Sequence, residues 1–544
     1  MTVITPRRRK KMKKIIRQIF IIVLIINLLA GCEKIQTDIK SGQSQAVEEV
    51  ITINLEGDTA KSSSEQVHIL DGIINIVNVG TYRFVGEFDG QIHVLTEDKG
   101  QVQLLFAGVT LRNETTAPIY VEKAEETVIT LEEGTDNYIE DTAAYLEEEA
   151  KLLDIERTNG AIYSKTNLVI NGLGTLSITT TDKTAVLGKA QVSLYDATLL
   201  VESARNGIKG KDKIYIDKGS IDIQAQEKAI VSDGIIEVMS GQITIDSVDD
   251  SMHSDDTIIV HSGELSLSTQ DDGIHADSLV QVNGGEIRIV ESYEGIEAKD
   301  IVVNGGYIDV HSSDDGINIS DNTEENNERV KEIEGGDYDY GLHINGGEIT
   351  INSYGDGLDS NGNIWMNAGT VIVSGPIDNA NGSIDYSGTF EMTGGSLIAT
   401  GSSGMVQGPS EISSIPTMII GFDASLDAGT RIQVVDDNEK ILMDITAEKT
   451  LSSLVYSSIE LKIDTSYNIL INEQVQMTLE LTDIVTSYGN IGGMGARPPR
   501  GERPQGERPQ GERPQGERPQ GDYLEGNWSQ DDMMQPPMDV LIDE

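Results

Sequence analysis

Eight glycines recur through the middle of the chain at intervals that an ordinary globular fold has no means to use. Gly219, Gly241, Gly263 and Gly285 stand 22 residues apart. Gly306 follows after 21, Gly347 after 41, Gly369 after 22 and Gly395 after 26. Behind most of them comes a short alternating segment: Glu264-Leu265-Ser266-Leu267, Glu286-Ile287-Arg288-Ile289, Glu348-Ile349-Thr350-Ile351, Thr370-Val371-Ile372-Val373. Alternation of apolar and polar residues with β-branched side chains is a strand signal, and glycine supplies the backbone freedom of a sharp corner. About 22 residues with several short strands make one rung of a β-helix; a propeller blade needs roughly 40, and no apolar stripe of helical period occurs within the rungs. The fold class expected is all-β, a right-handed parallel β-helix. In such a solenoid, equal positions of successive rungs stack ~4.8 Å apart and inward Ile, Val and Leu form apolar ladders.

A second motif runs in step with the first. Asp249-Asp250-Ser251-Met252-His253 aligns with Asp271-Asp272-Gly273-Ile274-His275, Tyr293-Glu294-Gly295-Ile296-Glu297 and Asp314-Asp315-Gly316-Ile317-Asn318. Gly355-Asp356-Gly357-Leu358-Asp359 and Asn381-Gly382-Ser383-Ile384-Asp385 continue it, and 205–209 and 227–231 are weaker earlier versions. Stacking turns Asp250, Asp272, Glu294 and Asp315 into a column, with Asp249, Asp271 and Asp314 beside it. Two carboxylates at that spacing repel by about 3–4 kcal/mol at an effective dielectric near 20, so solvation, proton uptake or bound cations must relieve the column. Closely spaced hard oxygens suit Ca²⁺. Asp255, Asp277, Asp300 and Asp321, a few residues further into their rungs, are expected to complete its coordination. The alternative is a solvated corner where Asp and Gly serve only as turn formers. His253 and His275 are expected to pack on the rungs or their rim, with a transition-metal site a lesser option.

The net charge of -50, from 40 Lys and Arg against 90 Asp and Glu, repels a phosphate backbone and excludes nucleic acid as a partner. The ends of the chain are of another kind. A basic cluster from Arg7 to Lys14 precedes the apolar run Ile19 to Ala30, which is too short to span a bilayer and fits an export signal. Leu29-Ala30-Gly31-Cys32 resembles the bacterial lipobox, and Cys32 is the one cysteine of the chain. An extracytoplasmic protein anchored to the membrane through lipid on Cys32 is expected. The domain reading is a signal peptide over 1–31, a tether over 32–50, a β-rich cap with first rungs over 51–158, β-helix repeats over 159–414, and a β-rich cap over 415–488. A disordered spacer and acidic tail follow over 489–544, with GERPQ repeated from Gly501 to Gln520. The acidic stretch Asp136 to Thr158 has room for a helical turn, and the polar stretch Ser320 to Gly341 reads as a loop thrown out from one corner.

The run from Asp271-Asp272-Gly273-Ile274 through Asn283-Gly284-Gly285 to Asp314-Asp315-Gly316-Ile317 resembles the bacterial polygalacturonate-binding β-helix family of carbohydrate-binding surface proteins. The later segments Gly355 to Gly362, Val373 to Pro376, Asn381 to Tyr386 and Gly401 to Met405 carry the likeness on, over roughly Ile51 to Ser487. The resemblance implies a pectate-lyase-like solenoid with bound Ca²⁺ and affinity for acidic plant polysaccharide. A binding module without catalysis is the first expectation. A calcium-dependent polysaccharide lyase is the second, with Lys299 as the base that removes the proton beside a uronate carboxylate. A calcium-stabilised adhesin is the third.

Overall fold

The structure is a computed structural model that describes residues 50–144, 158–320 and 338–492. Cys32, Asp321 and the GERPQ spacer lie outside these residues. The chain divides between Gly495 and Ala496, and everything described belongs to the first part. Among the described residues there is no helix, and the strands wind into a β-solenoid of about 14 turns, as the glycine period requires.

Three parallel sheets run the length of the solenoid. The first carries the alternating segments: Ile243, Leu265, Ile287, Ile308, Ile349, Val371 and Leu397 pair rung to rung. The second is built of short strands, in which Ile230, Met252, Ile274, Ile296, Ile317, Leu358 and Ile384 are successive partners. The third aligns Ile236, Ile258, Val280, Ile301, Leu342, Ile364 and Phe390. All of these side chains are buried in one continuous core. Each stabilises the fold by roughly 1.5–3 kcal/mol relative to exposure. One apolar residue per turn in each of three ladders is what lets so low an aromatic content hold the chain together.

Two kinds of glycine serve two purposes. Gly285, Gly306, Gly347 and Gly369 have positive φ, and a Cβ on any of them would meet the carbonyl oxygen of its counterpart one rung earlier at 2.8–2.9 Å. Gly273, Gly295, Gly316 and Gly357, within the acidic motif, are not left-handed. A Cβ there would strike the next rung's carbonyl oxygen at 2.2–2.7 Å and a core side chain besides. The glycine of the Asp-Gly pair therefore reflects close rung approach and not turn chemistry. On the opposite corner Asn304, Asn345 and Asn367 each donate from Nδ2 to Oδ1 of the asparagine before, starting at Asn283, over 2.8–3.0 Å.

The doubled interval between Gly306 and Gly347 contains no extra rung. Tyr307–Ser312 pairs directly with Glu348–Ser353, and Ile301 with Leu342. The surplus falls between Ile317–Ile319 and Gly341–Ile344, and 321–337 lie outside the described residues. Asp136–Asp141, where a helical turn was expected to begin, is a strand of the first sheet paired with Thr175–Thr180; 145–157 are outside the described residues. At the C-terminal end the direction reverses. Leu451–Ser458 lies antiparallel to Ser396–Gly401 and, on its other edge, to Thr417–Leu426. Beyond it, a four-stranded antiparallel sheet from Arg431 to Leu481 has a separate core around Ile432, Val434, Tyr456 and Tyr467.

Candidate functional site

The acidic motif occupies the corner before the second sheet. The backbone fixes it there: N–H groups of Ser251, Gly273, Gly295 and Gly316 donate to the carbonyls of Asp272, Glu294, Asp315 and Asp356, one rung on, over 2.9–3.0 Å. Asp250, Asp272, Glu294 and Asp315 thus stack as expected, and the column extends to Asp356. Because side chains alternate along a strand, the residue after each inward Ile or Leu points outward as well. Those residues form a second stripe in register: His253, His275, Glu297, Asn318, Asp359 and Asp385.

The two stripes change character along the solenoid. In the earlier rungs every buried carboxylate meets a cation. Lys228 Nζ lies 2.7 Å from Asp249 Oδ1 and also bonds Asp250, whose side chain is buried. His253 Nδ1 stands 2.8 Å from Asp250 Oδ2. His275 Nδ1 is 2.9 Å from Asp272 Oδ2 and 3.0 Å from Glu297 Oε2. Burial opposes ionisation of Asp250, but hydrogen bonds from His253 and Lys228 outweigh it and hold the carboxyl at about 2. Burial also opposes charge on His275, and the bonds to Asp272 and Glu297 overcome it, raising the imidazole to about 10. Burial pushes Asp272 up to about 6, against the bond from His275 and with the help of Asp250 and Glu297. Earlier in the solenoid the buried pair Lys183–Asp141, 3.0 Å apart, likewise sets a cation on a buried carboxylate.

In the later rungs the carboxylates face one another. Burial, then the charges of Glu297, Asp272 and Asp315, pushes Glu294 up to about 8, although Asn318 donates to it over 2.9 Å. Asp315 rises to about 6 and Asp356 to about 7, through burial and neighbouring carboxylates, against one backbone N–H each. Asp359 rises to about 8 through burial and the charges of Asp315, Asp356 and Asp385. One ligand oxygen from each of Asp356, Asp359 and Asp385 falls within 4.8 Å of the others. Asn318 Oδ1, in the same outward stripe, is buried without a hydrogen-bond partner. These are hard oxygen donors, the set that Ca²⁺ accepts.

The remaining expected ligands are spread out. Asp255 and Asp277 are exposed beside the Nε2 atoms of His253 and His275, at 3.2 and 3.6 Å. Asp300 does not continue their series. A register shift after Ala276 pairs Leu279 with Asp300, so Lys299 takes the equivalent place, and Asp300 instead accepts the N–H of Gly341. Lys299 Nζ sits 5.5 Å from the Tyr340 ring centroid, at the next corner. Sequence reasoning chose the front column and passed over Lys228, Glu297, Asp356, Asp359 and Asp385 as site residues. The alternation behind each inward Ile or Leu was the signal for Glu297, Asp359 and Asp385, and the continuing rung period was the signal for Asp356.

The family described as carbohydrate-binding domain-containing protein matches residues 70–316 and 227–380, together more than half of the chain. This chain belongs to that family. It is 34% identical over 106 residues to a carbohydrate-binding domain-containing protein of Acetivibrio thermocellus. That stretch is 19% of this chain and 36% of the relative, so the chain spans about a third of the length of the curated relative it matches. Among solved structures it is similar to the gadolinium derivative of a polysaccharide lyase-like protein from C. thermocellum, at 18% identity and a TM-score of 0.34, over 50% of this chain and 98% of the other.

Proposed function

We propose that this chain is an exported, lipid-anchored surface protein that holds acidic polysaccharide of the polygalacturonate kind through Ca²⁺ on the later half of its acidic edge. Membership of a carbohydrate-binding family supports the glycan. The carrying observation is the trio Asp356, Asp359 and Asp385: the charges acting most strongly on Asp356 and Asp359 are all other carboxylates. A cation shared by that trio relieves the repulsion, and the Asn318 carbonyl oxygen is a further donor within reach of the stripe. When bound there, Ca²⁺ supplies positive charge that a uronate carboxylate can share. Without it, a chain of net charge -50 repels a polyanion. The earlier half, neutralised by its own Lys and His, needs no Ca²⁺.

Affinity electrophoresis of the full chain in gels containing polygalacturonate tests the reading. Retention is expected with millimolar Ca²⁺ and release with chelator, and Asp359→Asn with Asp385→Asn abolishes the difference. Retention indifferent to Ca²⁺ overturns it. Unsaturated uronate ends that vanish in Lys299→Ala would make the protein a lyase instead. The anchor has a separate test: Cys32→Ala leaves the precursor unprocessed and outside the detergent phase.

A further inference from the structure

A groove opens beside the early part of the acidic edge, at the end of the first sheet. Its volume is 380 Å³, within the range of small-ligand sites. Two outward columns wall it. Gln224, Asp246, Ser268 and Glu291 are rung-to-rung partners in one. Gln226, Val248 and Gln270, each one residue past the paired Ala225, Ser247 and Thr269, make the other. Asp249 and Asp271 of the acidic motif come next in sequence. The groove ends at a β-bulge. Leu267 pairs with Ile289 but Ser268 with Glu291, so Val290 is left over and turns outward, 57% exposed. Bulges of this kind re-aim side chains beside binding sites.

The lining suits hydroxyl groups. The amides of Gln224, Gln226 and Gln270 are exposed and, among the described residues, enter no side-chain hydrogen bond. Gln103 and Gln281 differ, donating to Thr130 Oγ1 and Asn283 Oδ1 over 3.0 and 2.9 Å. Each groove amide offers a donor and an acceptor together, and Asp246 and Glu291 each accept O–H bonds. Val248, 40% exposed, presents an apolar surface to the C–H face of a ring. The lining has two carboxylates and no cation, and Asp249 and Asp271 stand alongside. A free uronate is therefore repelled where an uncharged sugar is not. The stretch 70–316, matched by the carbohydrate-binding family, contains the whole groove.

We infer that this groove is a second glycan subsite, which takes uncharged pyranose units, methyl-esterified uronate among them, through their hydroxyls. It rests on the reading of the glycan as a polymer of the polygalacturonate kind, but not on Ca²⁺. The later rungs hold free carboxylates through the cation, and the groove holds esterified units without it. One edge thus distinguishes acid from ester along the same polymer.

Fully methyl-esterified polygalacturonate, in excess chelator throughout, is the probe. Affinity electrophoresis of the full chain should show retention that rises with polymer concentration. Gln224→Ala with Gln270→Ala should weaken it about tenfold, the worth of two amide hydrogen bonds. The melting temperature should stay where it is, since both side chains are exposed. The same variant should keep the Ca²⁺-dependent retention of free polygalacturonate. Failure of the calcium reading shows itself separately: free polygalacturonate then passes unretained in Ca²⁺ while the ester is still held, a result that supports the groove. Absence of ester retention in chelator, equal retention by the glutamine variant, or loss of both retentions together in that variant would overturn the subsite.

Discussion

The rungs around Asp250 and Asp272 and the rungs around Asp356 and Asp359 share a backbone, a motif and a corner, yet they manage negative charge in opposite ways. The first half carries its countercharge within the chain, as Lys228 and His275. The second half stacks carboxylates against carboxylates and lifts their proton affinity. Identical geometry therefore yields a self-contained ion network at one end and an unmet demand for cation at the other. What decides between them is Lys228 at the head of the front column and one outward residue per rung: His at 253 and 275, Glu, Asn and Asp at 297, 318, 359 and 385.

The comparison breaks most readily at Lys228. Lys228→Met leaves Asp250 buried with only His253 as a hydrogen-bond partner and should cost about 3 kcal/mol in chemical denaturation, the typical penalty for unpairing a buried charge. Asp359→Asn is the mirror experiment. Without divalent ions it should raise the melting temperature by ~2–4 °C, because it removes repulsion while the Asn oxygen can still accept the Ser360 N–H. In millimolar Ca²⁺ that gain should shrink or reverse. If both substitutions destabilise equally in chelator, the two halves are not electrostatically different.

Acidity sharpens the contrast. Carboxylates whose folded-state affinity for protons is raised favour folding while protonated, and that advantage disappears as pH rises from the unfolded value through the folded one. Glu294 and Asp359 at about 8 and Asp356 at about 7 place this loss between roughly pH 4 and 8. In chelator, the melting temperature should fall across that window, and Ca²⁺ should flatten the slope. The earlier half behaves otherwise. His275, raised to about 10, gives up its contribution as pH climbs from about 6.5 to 10, and Asp250, lowered to about 2, as pH drops from about 4 to 2. Asp356→Asn with Asp359→Asn should therefore remove most of the slope between about pH 4 and 6.5, whereas His275→Gln should leave that part in place. The smallest effect belongs to the exposed rim: Asp255→Asn alone should shift stability by less than about 0.5 kcal/mol.

Much of this was legible in the sequence. The glycine period fixed the rung length, and alternation around it named the inward ladders, because solenoid packing is nearly one-dimensional and each rung repeats the last. The stack of Asp250, Asp272, Glu294 and Asp315 followed from the same period. The countercharge did not, because Lys228 precedes the acidic rungs and reaches its partners only through stacking. Asp300 was misplaced because a one-residue register shift after Ala276 is invisible in a 21-residue interval. The glycines of the acidic motif were read as turn formers. Their role, keeping a Cβ off the next rung's carbonyl, depends on a neighbour 21 to 41 residues away.

The reversal at Leu451–Ser458 sets the length of the parallel stack. A parallel solenoid is a template that presents, at its last rung, the same open strands and the same apolar ladder as every rung before, and a second copy arriving with Val50–Gly57 foremost would find a matching edge. Running the next strand backwards over Ser396–Gly401 replaces the evenly slanted bonds of a parallel ladder with the alternating pairs of an antiparallel one, and the separate antiparallel sheet beyond it has a different core. The parallel stack of the first sheet thus stops at Ser396–Gly401, and the sheet runs on through one reversed strand to Thr417–Leu426 and Val485–Gly489.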